Sequence, residues 1–168
     1  MATVSILMGS DSDLEIMQEA AKALESFGIS YEMKVLSAHR SPDLVSEYVK
    51  EAPKAGTKIF IAGAGGSAHL AGVVAAQSIL PVIGVPIQTQ LAGGLDSLLS
   101  TVQMPSGIPV ATVAVGKSGS RNAGILAAQM LALNDESLAR KLKAHKEALV
   151  KGVQEKNEKL KAKLKDAK

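Results

Sequence analysis

Three short polar segments interrupt otherwise apolar stretches and carry most of the chain's chemically useful side chains. They are Gly9–Ser10–Asp11–Ser12–Asp13, Ser37–Ala38–His39–Arg40 and Gly63–Ala64–Gly65–Gly66–Ser67–Ala68–His69. In the first, Gly9 permits a sharp turn after an apolar run. Ser10 and Ser12 offer hydroxyls, and a helix that follows offers free backbone N–H groups, so the segment suits a phosphate. Asp13 directly precedes a helical apolar pattern. It either caps that helix or accepts hydrogen bonds from sugar hydroxyls, and a carboxylate has lone pairs for both. Asp11 with Asp13 also admits a rival reading, an Asp-x-Asp pair that holds Mg²⁺ and supplies a nucleophile for phosphoryl transfer. Against it, Gly9–Ser10 pushes the pair past the strand, and no acid cluster follows the later strands.

The second segment places an arginine beside a histidine. Arg40 presents a planar fork suited to bidentate phosphate recognition. An imidazole titrates near neutrality, so His39 is suited to carry a proton in either direction. Pro42–Asp43 starts the next helix. The bland alternative is a surface loop with an incidental His–Arg pair. The third segment matches the relaxed dinucleotide pattern G-x-G-x-x-G/A. It follows the third strand rather than the first, however, and no acid ends the next strand to hold a ribose; Ile83–Gln90 offers only Gln88 and Gln90. The better reading is a loop whose glycines let a small ligand lie against the backbone. His69 is either a second proton carrier or a helix-start histidine with a structural partner. His145 lies in a lysine-rich tail and reads as surface.

These loops need a frame. Thr3–Met8, Tyr31–Leu36, Lys58–Ala62, Pro81–Val85 and Val110–Val115 read as strands. Leu14–Phe27, Asp43–Lys54, Ala68–Ser78 and an Ala-rich run ending near Leu133 read as helices, the last preceded by a Gly116–Ser120 loop. Gly28 ends the first helix. A last, increasingly polar helix runs from Asp135 to about Lys165. Ile87–Pro109 resists the pattern, with a short helix near Leu95–Thr101 and an irregular passage through Gln103–Met104–Pro105. Strand, loop and helix in alternation is the signature of an α/β fold with a central parallel sheet covered on both faces. Ligands of such sheets bind beyond the carboxyl ends of the strands, which is where all three segments fall.

Composition narrows the chemistry. The 168 residues contain no cysteine, which excludes disulfides and thiolate chemistry. The net charge of +3 hides an asymmetry. Residues 141–168 hold ten lysines against four acids, and residues 1–140 hold nine Lys/Arg against twelve Asp/Glu. The body is mildly acidic and the tail basic. With two Phe, two Tyr and no Trp there is little for bases to stack on, so nucleic acid is not the expected partner. The tail reads as a solvated helix, with a polyanion contact as the alternative. No apolar run approaches the ~20 residues of a membrane span, and no basic region precedes the N-terminal apolar run, so a cytoplasmic protein is expected. Residues 1–140 are expected to form one α/β catalytic domain, with 141–168 a basic helical extension of it.

Taken together, Met8-Gly9-Ser10-Asp11-Ser12-Asp13, Ser37-Ala38-His39-Arg40-Ser41-Pro42-Asp43 and Ala62-Gly63-Ala64-Gly65-Gly66-Ser67-Ala68-His69-Leu70 resemble the class I PurE family of purine biosynthesis. The resemblance continues through Gly84-Val85-Pro86 and Gln103-Met104-Pro105-Ser106-Gly107-Ile108-Pro109-Val110, and covers about Val4 to Leu142. It implies a three-layer α/β/α sandwich like flavodoxin, a homo-octamer, and no organic cofactor or metal. One branch of the family isomerises N5-carboxyaminoimidazole ribonucleotide to 4-carboxy-5-aminoimidazole ribonucleotide. The other carboxylates aminoimidazole ribonucleotide directly. Arg40, where the carboxylase branch tends to carry Lys, and the His69-bearing loop favour the mutase. The chain departs from the family pattern at Leu14, Ser67 and Ala71, and its long basic tail is not a family hallmark.

Carried onto this sequence, the resemblance implies that Ser10, Ser12, Ser37 and Arg40 hold a 5′-phosphate and that Asp13 binds the ribose. His39 would be the acid–base group. Ala38, Gly65, Ser67, Ala68, His69 and Leu70 would line the pocket near the imidazole and the migrating carboxylate. Two other readings stay open: the direct carboxylase, and a non-catalytic nucleotide-binding module of flavodoxin-like topology.

Overall fold

Apolar runs of five or six residues become the strands of one parallel sheet, and the longer amphipathic runs become its covering helices. The computed structural model describes residues 2–166. The elements are β1 (Val4–Met8), α1 (Leu14–Phe27), β2 (Tyr31–Val35), α2 (Pro42–Glu51), β3 (Ile59–Ala64), α3 (Leu70–Gln77), β4 (Val82–Pro86), α4 (Leu95–Val102), β5 (Ala111–Thr112), α5 (Lys117–Ala132) and α6 (Glu136–Asp166). A 3₁₀ turn at Asp11–Asp13 leads into α1. Two compact units are distinguished, Met1–Ala128 and Gln129–Lys168. The first holds the sheet; the second is dominated by α6.

The strand order is β2-β1-β3-β4-β5, every neighbouring pair parallel. This is the doubly wound, flavodoxin-like order, with its switch point between β1 and β3. β1, β3 and β4 are buried almost throughout, as parallel strands covered on both faces must be. β2 is different. It is an edge strand, half-exposed, and its Tyr-Glu-Met-Lys-Val sequence alternates accordingly.

Side-chain alternation along the strands divides the core in two. Leu7, Phe60, Ala62 and Val82 project to one face and cluster with Val45 and Val49 of α2 and Leu70, Ala71 and Val74 of α3. Gly63, next to Ala62, faces the other side, where a Cβ would stand 2.3 Å from the Met17 sulfur of α1. α5 packs there too. A Cβ on Gly124 would approach the Ala20 carbonyl oxygen to 2.6 Å, and the Ser120 hydroxyl accepts the Ala20 N–H at 3.1 Å. α1 ends where expected: Gly28 takes a left-handed conformation (φ 75°), and Ile29 returns a hydrogen bond to Leu24.

Three boundaries differ from the sequence expectation by three residues or more. β5 has two residues rather than the six of Val110–Val115. Pro109 has no N–H to donate, yet the segment still follows β4, because Val113 N–H reaches the Gly84 carbonyl and Gly116 N–H the Pro86 carbonyl. α5 starts at Lys117, so the expected Gly116–Ser120 loop is its first turn. The glycine that suggests a loop, Gly119, is there because the Ala114 carbonyl oxygen lies 1.5 Å from where its Cβ would be. α2 ends at Glu51 and irregular turns fill the distance to Gly56.

Gly119→Ala is therefore expected to destabilise the protein by about 3 kcal/mol or more, since backbone rather than a flexible side-chain tip must yield. A urea unfolding midpoint equal to that of the parent would contradict this packing.

Candidate active site

Because β2, β1, β3 and β4 are adjacent and parallel, the chain leaves all four at one edge. The sheet's ladder continues past the strand ends: Leu36 N–H donates to the Met8 carbonyl (2.9 Å), Gly9 N–H to Gly63 (3.1 Å) and Ile87 N–H to Ala64 (3.0 Å). These bonds fix the roots of four loops around one cavity of about 470 Å³, a size suited to a small ligand. Its walls include Ser10, Ser12, Asp13, Ser37, Ala38, His39, Arg40, Gly65, Ser67, His69 and Leu70. Of the residues the resemblance assigns to the pocket, Ala68 alone is not on the wall. It is buried beneath the loop, with its N–H bonded to the Gly66 carbonyl. Asp11 of the Asp-x-Asp pair is not on the wall either.

The first loop is organised by its own hydroxyls. Ser10 caps the 3₁₀ turn, its Oγ accepting the Ser12 N–H (3.3 Å) and the Ser12 Oγ–H (2.9 Å) and donating to Asp11 (3.1 Å). Asp13 occupies the N-cap position of α1 but makes no capping hydrogen bond. Of the two uses open to it in the sequence, the helix cap is absent, and its carboxylate stays on the cavity wall. Asp13 is also buried. Loss of solvent raises its pKa above the ordinary carboxylate value, an effect partly offset by hydrogen bonds from Ser12 and the Ser10 backbone and by the nearby Arg40 charge.

The second loop is a tight turn in which Ser37 and Ser41 bond reciprocally, backbone to hydroxyl, at 3.1 Å each way. The Ser37 hydroxyl also accepts the Arg40 N–H (3.2 Å). Arg40 crosses to the first loop and donates from Nη2 to the Gly9 carbonyl at 2.8 Å. One of its five N–H groups thus orients the fork. Arg40 ties the second loop to the first, and among the described residues no carboxylate forms an ion pair with its guanidinium.

The third loop ends in His69, whose Nδ1 lies 2.8 Å from His39 Nε2, with the two rings nearly perpendicular. Both rings are exposed at the cavity. Two histidines from segments 30 residues apart therefore share one hydrogen bond, with the donor set by tautomer. Only one glycine of the Gly63–Gly66 motif needs its conformational freedom, Gly66 at φ 66°.

The fourth wall, Ile87, Gln88 and Thr89, lies outside the three polar segments. In the sequence Gln88 stands out only for lacking a carboxylate. Position was the available signal, since the segment follows a buried parallel strand.

Burial binds a proton more tightly to Asp13 in the folded chain than in the unfolded one. Its favourable contribution is complete below the ordinary carboxylate pKa and is lost as pH rises through the raised folded value. Asp13→Asn is accordingly expected to raise the melting temperature of the empty protein at neutral pH, with the gain shrinking in mild acid. A parent protein that melts higher than the variant at neutral pH would refute this assignment.

The model of the family described as AIR carboxylase matches residues 3–151. An N5-carboxyaminoimidazole ribonucleotide mutase of Thermotoga maritima is 54% identical over 160 residues, covering 95% of this chain and 92% of the relative. That of Bacillus subtilis is 53% identical over 157 residues, covering 94% and 97%. Among solved structures, Treponema denticola PurE superimposes with a TM-score of 0.85 at 33% identity, covering 94% of this chain and 98% of that one.

Proposed function

The chain belongs to the AIR carboxylase family, and from that premise we propose that the cavity isomerises N5-carboxyaminoimidazole ribonucleotide to 4-carboxy-5-aminoimidazole ribonucleotide, with His39 as the proton carrier. The activity is the one carried in the names of relatives above 50% identity. The observation that supports the residue roles is the hydrogen-bonded His39–His69 pair lining one small cavity together with Ser10, Ser12, Ser37 and Arg40.

In this reading Ser10, Ser12, Ser37 and Arg40 receive the 5′-phosphate. The hydroxyls and the free N–H groups of the guanidinium donate to phosphate oxygens. Asp13 accepts from the ribose hydroxyls, and an ionised carboxylate already short of solvent gains from those donors. Held at both ends of the ribose phosphate, the imidazole lies under His39 and against Gly65, Ser67, His69 and Leu70.

The reaction balances within the substrate. The bond from the exocyclic nitrogen to the carboxyl carbon breaks, its electron pair stays on nitrogen, and His39 supplies the proton. CO₂ remains in the cavity beside the ring. C4 then attacks it, and the proton lost from C4 returns to His39. One base thus serves both steps in opposite senses. The hydrogen bond to His69 holds the His39 ring in place and lets the pair trade tautomers. Confinement makes recapture of CO₂ a local event rather than a bimolecular encounter.

We also infer a homo-octamer in the cytoplasm. What supports assembly is the family resemblance together with an exposed apolar stripe on and before α4, where Leu91, Leu95, Leu99 and Val102 are 46–63% exposed. No helix among the described residues is long and apolar enough to cross a membrane.

Incubation with the carboxyamino nucleotide, without bicarbonate or ATP, is expected to yield the C4 carboxylate, and His39→Asn is expected to lower turnover by about 10³-fold or more while nucleotide binding persists. Conversion that requires bicarbonate and starts from the uncarboxylated nucleotide would favour the direct carboxylase, and full activity in the variant would remove His39 as proton carrier. Arg40→Lys keeps the charge but loses the fork, so nucleotide affinity should fall about tenfold; calorimetry giving an unchanged dissociation constant would refute the phosphate role of Arg40.

A further inference from the structure

We propose that Ser97, assisted by Ser100, is a positioning residue for the isomerisation: the two α4 hydroxyls clamp the Gly66 peptide, and that clamp sets how tightly the His69 loop closes on CO₂. The proposal rests on the mutase reading above.

Gly66 is held from both sides of its backbone. Its N–H donates to the Ser97 Oγ at 2.9 Å, and its carbonyl lies 3.2 Å from the Ser100 Oγ, whose one proton is shared with the Asp96 carbonyl at 2.8 Å; Ser97 is thus the stronger arm. Ser97 is completely buried and lies off the cavity wall. The loop therefore divides its residues by role. Gly65 and Ser67 line the cavity, Gly66 between them is bound to α4, and His69 follows at the start of α3. At φ 66° the Gly66 peptide is turned away from its neighbours and can meet a helix behind the wall.

The same helix turn also holds the neighbouring wall segment, where Thr89 lies 3.6 Å from the position a Cβ on Gly65 would take. Asp96 Oδ1 accepts from Thr89 Oγ1 at 2.6 Å and from the Ser97 N–H at 2.9 Å. The Thr89 bond chiefly holds this carboxyl below its ordinary pKa, so it stays an acceptor. Thr89 lines the cavity. Three successive residues with positive φ, Ala92, Gly93 and Gly94, bring the chain round into this turn. A Cβ on Gly94 would meet the Ile87 oxygen and Gln88 Cα at 3.2 Å, so the approach is close. One turn of α4 thus ties the Gly66 loop to the Thr89 segment.

What such a tie does follows from the intermediate. CO₂ is small and uncharged and offers no strong hydrogen-bonding handle. Its retention depends on how closely the walls approach rather than on any one contact. The phosphate side chains lie on the other two loops, and the partners of the Ser97 and Ser100 hydroxyls are Gly66 and the Asp96 carbonyl. Loosening the clamp is therefore expected to change the fate of CO₂ more than the affinity for the nucleotide.

The test uses the full chain with Ser97→Ala, Ser97→Thr and Ser100→Ala, and single turnovers of N5-carboxyaminoimidazole ribonucleotide, quantifying the C4 carboxylate against released aminoimidazole ribonucleotide. Ser97→Ala should lower kcat by about 10- to 100-fold, leave KM within about threefold, and raise the decarboxylated share severalfold. Ser97→Thr, which keeps the acceptor, should recover most of the loss, and Ser100→Ala should fall between parent and Ser97→Ala. Should Ser97→Ala fold poorly, Ser100→Ala at its half-buried position carries the test by the same partition. Parental kcat and partition in the Ala variants would overturn the clamp, as would losses that track melting temperature with the partition unchanged. A parent chain that converts no carboxyamino nucleotide would instead overturn the mutase reading itself.

Discussion

Parallel strands cannot be joined by hairpins, and this constraint shapes everything else in the protein. Each return from β1, β2 and β3 must cross a face of the sheet as a helix, so every strand delivers its carboxyl end to the same edge. With β1 between β2 and β3, the loops at residues 9, 37 and 65 become neighbours although they are far apart in sequence. The ladder hydrogen bonds that continue into those loops hold their roots to the sheet. A shift of one strand would carry off the Ser10 loop, His39 or His69. The chemistry therefore depends on register more than on any single loop.

The cavity so formed is a place where stability and function oppose one another. Asp13 is held out of solvent without a cap to make and with Asp11 nearby, so its ionised form is unfavourable in the empty protein. In the function proposed, ribose hydroxyls brought to that carboxylate would offset the lost solvent. Arg40 is similar, oriented by one carbonyl and otherwise uncompensated at the wall. Groups left short of partners in the free protein have more to gain from a ligand than groups already satisfied.

Much of this was legible in the sequence because it is local. The bounds of α1 follow from apolar spacing and Gly28, and the site loops follow from polar residues placed after apolar runs. What was not legible depends on contacts between distant segments. Gly119 marks a close approach of the Ala114 carbonyl inside a helix, and nothing in its neighbourhood distinguishes that from a loop glycine. Composition overstates β5 because Val110–Val115 has strand-like residues, whereas ladder pairing depends on what β4 presents. Thr89 and Ser97 look like ordinary polar residues in a loop and a short helix. Their significance lies in bonds to residues 7 and 31 positions away. The pairing of His39 with His69 likewise needs β1 between their strands before it exists at all.

The glycine-rich loop shows how a pattern can match while its physical reasons differ. In a dinucleotide site the glycines admit a pyrophosphate to a helix N-terminus. Here Gly63 leaves room for Met17 under the sheet, Gly66 turns its peptide away from the cavity toward α4, and Gly65 alone presents bare backbone to the ligand. The Gly66 N–H that a phosphate would need is already bonded to Ser97. In the function proposed, anion binding accordingly falls to the first two loops, with their serines and Arg40, and the third forms a close wall ending in an imidazole. That division suits a reaction in which the nucleotide must be gripped by its charged end while a neutral fragment, with nothing to hold it by, is simply given nowhere to go.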